Sequence, residues 1–277
     1  MTTVDKLRQV ALEIRRLIIE FACRSKCAHV GSSLSCVEIL TALYFKEMNL
    51  TKTKSCREPD HFILSKGHAE LALYATLVKK RIMSKKMLEG FMQQDGTLPA
   101  HLDRFTGRGI EVSSGSLGHG FNIALGWAWG NKLRKKGGRF FVLIGDGESQ
   151  EGSIWEGAMF ASRLGIDNLT VILDNNNLQG YGRANELCFF EPIDQKWKAF
   201  GWQVHRVDGH NFSQINSALA SPNRNSPKII IAKTVKGKGV SFMEDQMKWH
   251  YFIVTPELKE KALKELSLYS YAHKNYK

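Results

Sequence analysis

Two stretches decide the reading: FFVLIGDGESQEG (Phe140–Gly152) and LTVILDNNN (Leu169–Asn177). Each is an unbroken apolar run that stops on a polar cluster, Gly-Asp-Gly in the first and Asp-Asn-Asn-Asn in the second. SIWEGAMFASRLG lies between them and reads as a helix. A short continuous apolar run without alternation suits a strand buried on both faces, as in a parallel sheet. The whole segment is therefore predicted as a β-α-β unit. Both polar clusters then sit at the carboxyl ends of parallel strands, the edge where open α/β sheets bind ligands.

The same alternation extends outward. Residues 4–24 carry Leu7, Val10, Ala11, Ile14, Leu17, Ile18 and Phe21 at helical spacing. AHVGSSLS is predicted as a Gly/Ser break and CVEILTALYF as a second helix. HFILSKGHAELALYATLVKK reads as a strand, a Gly-His turn and a helix. A polar, glycine-rich stretch runs from Gly96 to Gly120. FNIALGWAWGNKLRKK is predicted helical, with Trp127 and Trp129 as packing residues. WQVHRVDGHN reads as a strand plus turn, KIIIAKTVKG as a strand, and TPELKEKALKELSLY as a helix opened by proline. The fold class expected is α/β: a doubly wound, mostly parallel sheet with helices on both faces and right-handed crossovers. No repeat, linker or composition shift divides the chain, so residues 1–277 read as one domain.

Composition bounds the function. The 277 residues are 43% hydrophobic and 24% charged, an ordinary globular balance. No apolar run is long enough for a spanning helix. MTTVDKLRQV lacks the apolar segment of a signal peptide, so the cytoplasm is the expected compartment. Cys23, Cys27, Cys36, Cys56 and Cys188 form no metal-ligand spacing and read as reduced structural thiols, with Cys23 and Cys27 on one helix face. The net charge of +12 comes from 39 basic and 27 acidic residues. These are spread along the chain. The densest cluster, NKLRKKGGR (131–139), reads as a solvated helix end and turn with no nucleic-acid motif beside it. Phosphate-bearing ligands or an acidic partner suit this balance better.

The strand ends offer specific chemistry. Asp146 supplies an anionic oxygen, Asn176 a neutral amide oxygen, and a turn through Asn177–Leu178 a backbone carbonyl. Three protein oxygens with room for others suit Mg²⁺, which is usually shared with a phosphate. Gly145 and Gly147 leave the backbone open to that phosphate, and the next helix N-terminus adds its dipole. A Mg-diphosphate site is the object these residues predict.

GDGESQEG…LDNNNLQGYG resembles the thiamine-diphosphate motif, GDG followed about thirty residues later by NN. Its flavour resembles the transketolase family, and in particular the N-terminal subunit of a split transketolase. The resemblance covers most of the chain. CAHVGSSLS is similar to the family's first His-Gly loop, ILSKGHAELALYATL to its strand-Gly-His-helix segment, and LPAHLDR to the loop holding a third histidine. VSSGSLGHG resembles the diphosphate and pyrimidine loop, and KTVKGKGVSFMEDQMKWH the segment with the last active-site histidine.

The resemblance implies that Asp146, Asn176 and the Leu178 carbonyl hold the metal, with Mg²⁺, Ca²⁺ or Mn²⁺ left open. It puts His68, Gly145, Gly147 and Glu148 at the diphosphate side of the cofactor, and Gly115, Ser116 and Leu117 at its aminopyrimidine. Asn176 and His250 complete the cofactor contacts. His29, His68, His101 and His250 are expected to serve catalysis around the reacting carbonyl and donor hydroxyls, and Glu151 to join an acid network crossing to a partner. His61, His205 and His273 read as surface or core histidines. His119 stands where the family often has glutamine and fills the loop. One departure is clear: the family commonly continues from the last histidine with a small residue and a proline, whereas here the chain reads WHYFIVTPEL.

The activity implied is transfer of a two-carbon ketol unit from a ketose donor to an aldose acceptor. The cofactor-activating glutamate and most of the substrate-phosphate grip lie, in the family, on pyrimidine-binding and C-terminal domains outside this sequence. The expectation is a chain inert alone and completed by a C-terminal transketolase subunit, in an α₂β₂ assembly acting on sugar phosphates. Two alternatives stand beside it: C2 transfer to an unusual sugar or secondary metabolite, and a non-catalytic binding module. Deoxyxylulose-phosphate synthase is a weaker match, since that enzyme keeps its domains on one chain.

Overall fold

The computed structural model describes residues 2–51 and 58–272. Cys56 and His273 lie outside them. In chain order the elements are α1 (Thr3–Ser25), α2 (Val30–Ser35), α3 (Val37–Ala42), β1 (His61–Leu64), α4 (Glu70–Lys79), α5 (Lys85–Glu89), α6 (His119–Leu133), β2 (Phe140–Gly145), α7 (Gly152–Arg163), β3 (Leu169–Asn175), α8 (Ala184–Leu187), α9 (Ile193–Ala199), β4 (Gln203–Asp208), α10 (Phe212–Ala220), β5 (Lys228–Lys233) and α11 (Pro256–Ala272). The strands form one parallel sheet in the order β1-β2-β3-β5-β4.

The apolar runs are explained by two cores, one per sheet face. Phe62, Leu64, Phe141, Leu143, Ile172 and Ile230 point to one face, against α1, α3, α4, α10 and α11. Ile63, Phe140, Val142, Ile144, Val171, Leu173 and Ile229 point to the other, against α6, α7 and α9. Successive strand side chains alternate between faces, so a strand covered on both sides needs apolar residues at every position. No helix among the described residues is long and apolar enough to cross a membrane.

Two local expectations are corrected. The stretch read as a Gly/Ser break is the helix α2, and all six of its residues are buried. Small side chains let it press against the loop after β5, where a Cβ on Gly31 would stand 3.0 Å from Lys236 Cγ. Its serines do not compete with the helix as exposed ones would, because Ser35 Oγ is committed 2.5 Å from Asp174. The second correction concerns Cys23 and Cys27. A capping box at Thr2 and Asp5 opens α1, but Lys26 turns left-handed at its end, so Cys27 lies past the helix. Cys23, Cys27, Cys36 and Cys188 are free thiols.

Candidate active site

The strand register places the polar groups. Gly145 pairs with Asp174, and Asn175 with Lys233. Asp146, Asn176 and Thr234 therefore follow at one edge, joined by Ser65–His68 after β1. Beneath this edge lies an ion pair that the sequence reading missed. Lys66 Nζ stands 2.5 Å from Asp174 Oδ2 and 3.3 Å from the Ser32 carbonyl. Asp174 also accepts from the Ser35 and Thr234 hydroxyls. Burial opposes both charges; each partner offsets that for the other, so Lys66 is held above and Asp174 below its ordinary range.

Asp146 has no such compensation. It is 4% exposed. Its Oδ2 accepts from the Asn177 amide at 2.6 Å, but Oδ1 is buried without a partner among the described residues. Burial, then repulsion from Asp174, pushes the carboxyl up to about 8. Asn176 Oδ1 accepts from the Leu178 amide at 3.0 Å, and the Leu178 carbonyl accepts from Lys236 Nζ at 3.2 Å. A carboxylate oxygen lacking a donor, an amide oxygen and a carbonyl follow at this one strand edge, oxygens of the hard type that Mg²⁺ prefers. The orphaned Oδ1 fits a cation better than it fits an empty core.

Gly145 and Gly147 do not adopt left-handed backbone. A Cβ on Gly145 would make ordinary contact, 3.7 Å from Lys66 Cδ, and one on Gly147 would stand 3.2 Å from Gln179 Oε1. Their value here is room rather than a special turn. Gln179, whose Nε2 is buried without a partner among the described residues, was also missed. Glu148 engages both of its oxygens within the chain: Oε1 takes the Ser65 hydroxyl and the Gly118 amide, and Oε2 the Gly145 amide at 3.4 Å. It braces three loops against one another.

Four histidines gather beside this edge. The His29 ring centroid lies 5.4 Å from His68, 6.3 Å from His101 and 4.9 Å from His250. His29 is held left-handed at φ 65° before α2, and its amide donates to the His250 carbonyl at 2.9 Å. The loop carrying His101 fits under Gly115, where a Cβ would come within 2.7 Å of the His101 ring and φ is +152°. Only glycine serves there. Gly67 is likewise required, since its Cβ would strike the Ser114–Gly115 backbone at 2.7 Å.

The charge state of the cluster follows from its surroundings. Burial first, then neighbouring cations, pushes His250 down to about 3 and His29 down to about 4; His68 is held well below its ordinary value by burial and Lys66. These three imidazoles are therefore neutral at pH 7. Lys236 Nζ lies 2.8 Å from His250 Nδ1. An ammonium can only donate, so Nδ1 accepts and the ring proton sits on Nε2. Burial, then repulsion from Lys66, brings Lys236 itself down to about 8.

The remaining expected residues are placed more loosely. Ser116 and Glu151 are exposed and Leu117 half-buried along the same rim. His119 is exposed, with Nδ1 3.3 Å from the Leu117 carbonyl. His61 belongs to packing: its ring stacks 4.8 Å from Phe140 and its Nδ1 meets Glu111 at 2.8 Å. Lys66 and Lys236 had a signal in the sequence, a lysine beside glycine directly after an apolar strand, in SKGH and TVKGKG.

Comparison with known proteins identifies the family. Residues 7–266 match the family described as "Transketolase, thiamine diphosphate binding domain". The chain is 39% identical over 263 residues to a 6-deoxy-6-sulfo-D-fructose transketolase subunit from Clostridium sp. (strain MSTE9), covering 94% of this chain and 96% of that protein. It is 37% identical over 268 residues to one subunit of an apulose-4-phosphate transketolase from Phocaeicola vulgatus, covering 95% of each. A transketolase structure from Campylobacter jejuni superposes with a TM-score of 0.84 at 28% identity, over 94% of this chain and 43% of that one. The chain belongs to the transketolase family and corresponds to its thiamine diphosphate binding domain.

Proposed function

We propose that this chain is the diphosphate- and metal-binding subunit of a two-subunit transketolase, a single domain that works in the cytoplasm with a C-terminal subunit in an α₂β₂ assembly. The observation that carries the reading is one juxtaposition: a buried carboxylate with an unpartnered oxygen, Asp146, on the same strand edge as four clustered histidines. Relatives of the same length named as transketolase subunits support the division into two chains. Asp146, Asn176 and the Leu178 carbonyl would hold Mg²⁺. His68, Gly145 and Gly147 would border the diphosphate, with Glu148 bracing the loops. Gly115, Ser116 and Leu117 would border the aminopyrimidine.

Bound there, thiamine diphosphate supplies the carbon that takes up and releases the two-carbon unit. The residues of this chain position and protonate around it. His250, with its proton on Nε2, offers a hydrogen bond without a charge, and neutral His29 and His68 can each accept or donate. Uncharged imidazoles polarise a carbonyl and bond sugar hydroxyls without fixing a proton where the reaction must move one. His101, more exposed, is proposed to meet the entering substrate. Glu151, exposed at the start of α7, is proposed to meet the partner.

Sugar phosphates are the proposed substrates. A second reading, C2 transfer to a less common sugar, is favoured by one observation: Tyr251 follows His250, with its ring 4.6 Å away. The test is turnover of ketose donors by the purified chain with and without the cognate partner. The proposal expects activity only from the mixture; full activity of the chain alone would refute it.

A further inference from the structure

Lys236 bonds both the Leu178 carbonyl and His250, yet it rides on a segment, Val235–Gly239, that belongs to no helix or strand. The segment is gripped from below at both ends. The Val235 amide donates to His210 Nε2 at 2.9 Å, and the Lys238 carbonyl accepts from Arg15 Nε at 2.9 Å. The two gripping side chains then converge on a single oxygen. Arg15 Nη2 lies 2.7 Å, and His210 Nδ1 3.0 Å, from Glu38 Oε2. Glu38 is buried on α3, Arg15 on α1, and His210 lies in the turn before α10.

Hydrogen-bond logic fixes the protonation of His210. A backbone N–H can only donate, so Nε2 accepts, and the proton of the neutral ring lies on Nδ1, directed at Glu38. Burial opposes the Glu38 charge, but Arg15 and His210 hold the carboxyl down at about 2. One carboxylate thus selects the tautomer of the group holding one end of the segment and orients the guanidinium holding the other.

We propose that Glu38 and His210 are positioning residues for the active site, setting through Val235 the place of the Lys236 ammonium against His250 and the metal-side carbonyl. The functional half of this inference rests on the cofactor reading above; the structural half does not.

Two replacements of His210 separate a positioning role from a merely structural one. His210→Asn keeps an N–H near the place of Nδ1, so it retains the Glu38 contact and loses the acceptor for Val235. His210→Gln extends an amide oxygen toward the place of Nε2 and retains that acceptor. Hydrogen exchange is followed at residues 235–239 in the full chain, relative to the β5 amides of the same protein, so that global destabilisation cancels. Thiamine diphosphate affinity is measured with Mg²⁺ and the partner present.

Exchange at 235–239 is expected to quicken about five-fold in His210→Asn and to stay within about two-fold of the original in His210→Gln, with cofactor affinity falling in the same order. Equal effects, or a worse effect from His210→Gln, overturn the proposal, because a residue serving only to donate to Glu38 is replaced better by asparagine. Exchange in the expected order together with no cofactor binding by the unaltered protein refutes the cofactor reading and leaves the segment's anchoring standing.

Discussion

Replacing Lys66 by methionine isolates what the buried ion pair contributes. Lys66 is 1% and Asp174 0% exposed, with 2.5 Å between the charged atoms. Methionine fills much of the same volume and removes the ammonium. Asp174 is then left as a charge without a counter-ion, although the Ser35 and Thr234 hydroxyls still bond it. Breaking a buried pair from one side costs about 3–5 kcal/mol, and those two remaining donors place this case near about 3 kcal/mol. For a domain of this size that lowers the melting temperature by about 6–12 °C.

The double variant Lys66→Met/Asp174→Asn removes both charges, and an amide can still bond both hydroxyls. It should recover to within about 1 kcal/mol of the original protein, so that adding Asp174→Asn to Lys66→Met regains about 2 kcal/mol. Urea unfolding followed by tryptophan fluorescence at pH 8 reads all three proteins, since Trp197, Trp202 and Trp249 are buried in the folded state. A Lys66→Met variant within about 1 kcal/mol of the original, or a double variant no more stable than Lys66→Met, refutes the reasoning.

Three further outcomes follow from the structure. Glu70 is buried with Oε2 unpartnered among the described residues, and burial raises its carboxyl well above the ordinary range. Its stabilising contribution is therefore full below the unfolded-state value near 4.5 and is lost as pH rises toward the folded one. Glu70→Gln should gain stability over the original by about 1–3 kcal/mol at pH 8 and by much less at pH 5; an equal gain at both would contradict this. Lys228 Nζ donates to the Ala218, Leu219 and Ser221 carbonyls at the end of α10, so Lys228→Met should cost about 1–3 kcal/mol in urea unfolding. No loss would mean those carbonyls are hydrated. Tyr251 lies 6.0 Å from His29, ring to ring, as well as beside His250, and Tyr251→Gly should shift the ratio of kcat/KM between two acceptor sugars by about ten-fold or more while cofactor affinity holds. An unchanged ratio removes Tyr251 from substrate selection.

Much of this was legible because the deciding signals are local. An unbroken apolar run ending in Gly-Asp-Gly can hardly be other than a buried parallel strand feeding a ligand edge, and a second such run ending in amides fixes its neighbour. His29, His68 and His101 stood out through a nearby glycine or proline, and His250 through the resemblance of its segment. What escaped is tertiary. AHVGSSLS has the composition of a turn, and burial against α1, α4 and the loops after β1 and β5 makes it a helix. Asp174 looked like one more residue of a polar turn, because its partner Lys66 lies over a hundred positions away. His210, within DGHN, carries a turn signature that is also true, since Asn211 caps α10; its grip on Val235 leaves no trace in spacing. Glu148 was singled out because it follows GDG, and its two bonds to distant loops, at Ser65 and Gly118, could not be read from the chain.

The most direct test of the central claim is calorimetric titration of thiamine diphosphate with Mg²⁺ into the chain alone, and then into the chain with its partner, with Asp146→Ala as control. The account predicts binding that strengthens sharply when the partner is present and vanishes in the variant. Absence of binding under both conditions, or equal binding by Asp146→Ala, would contradict it.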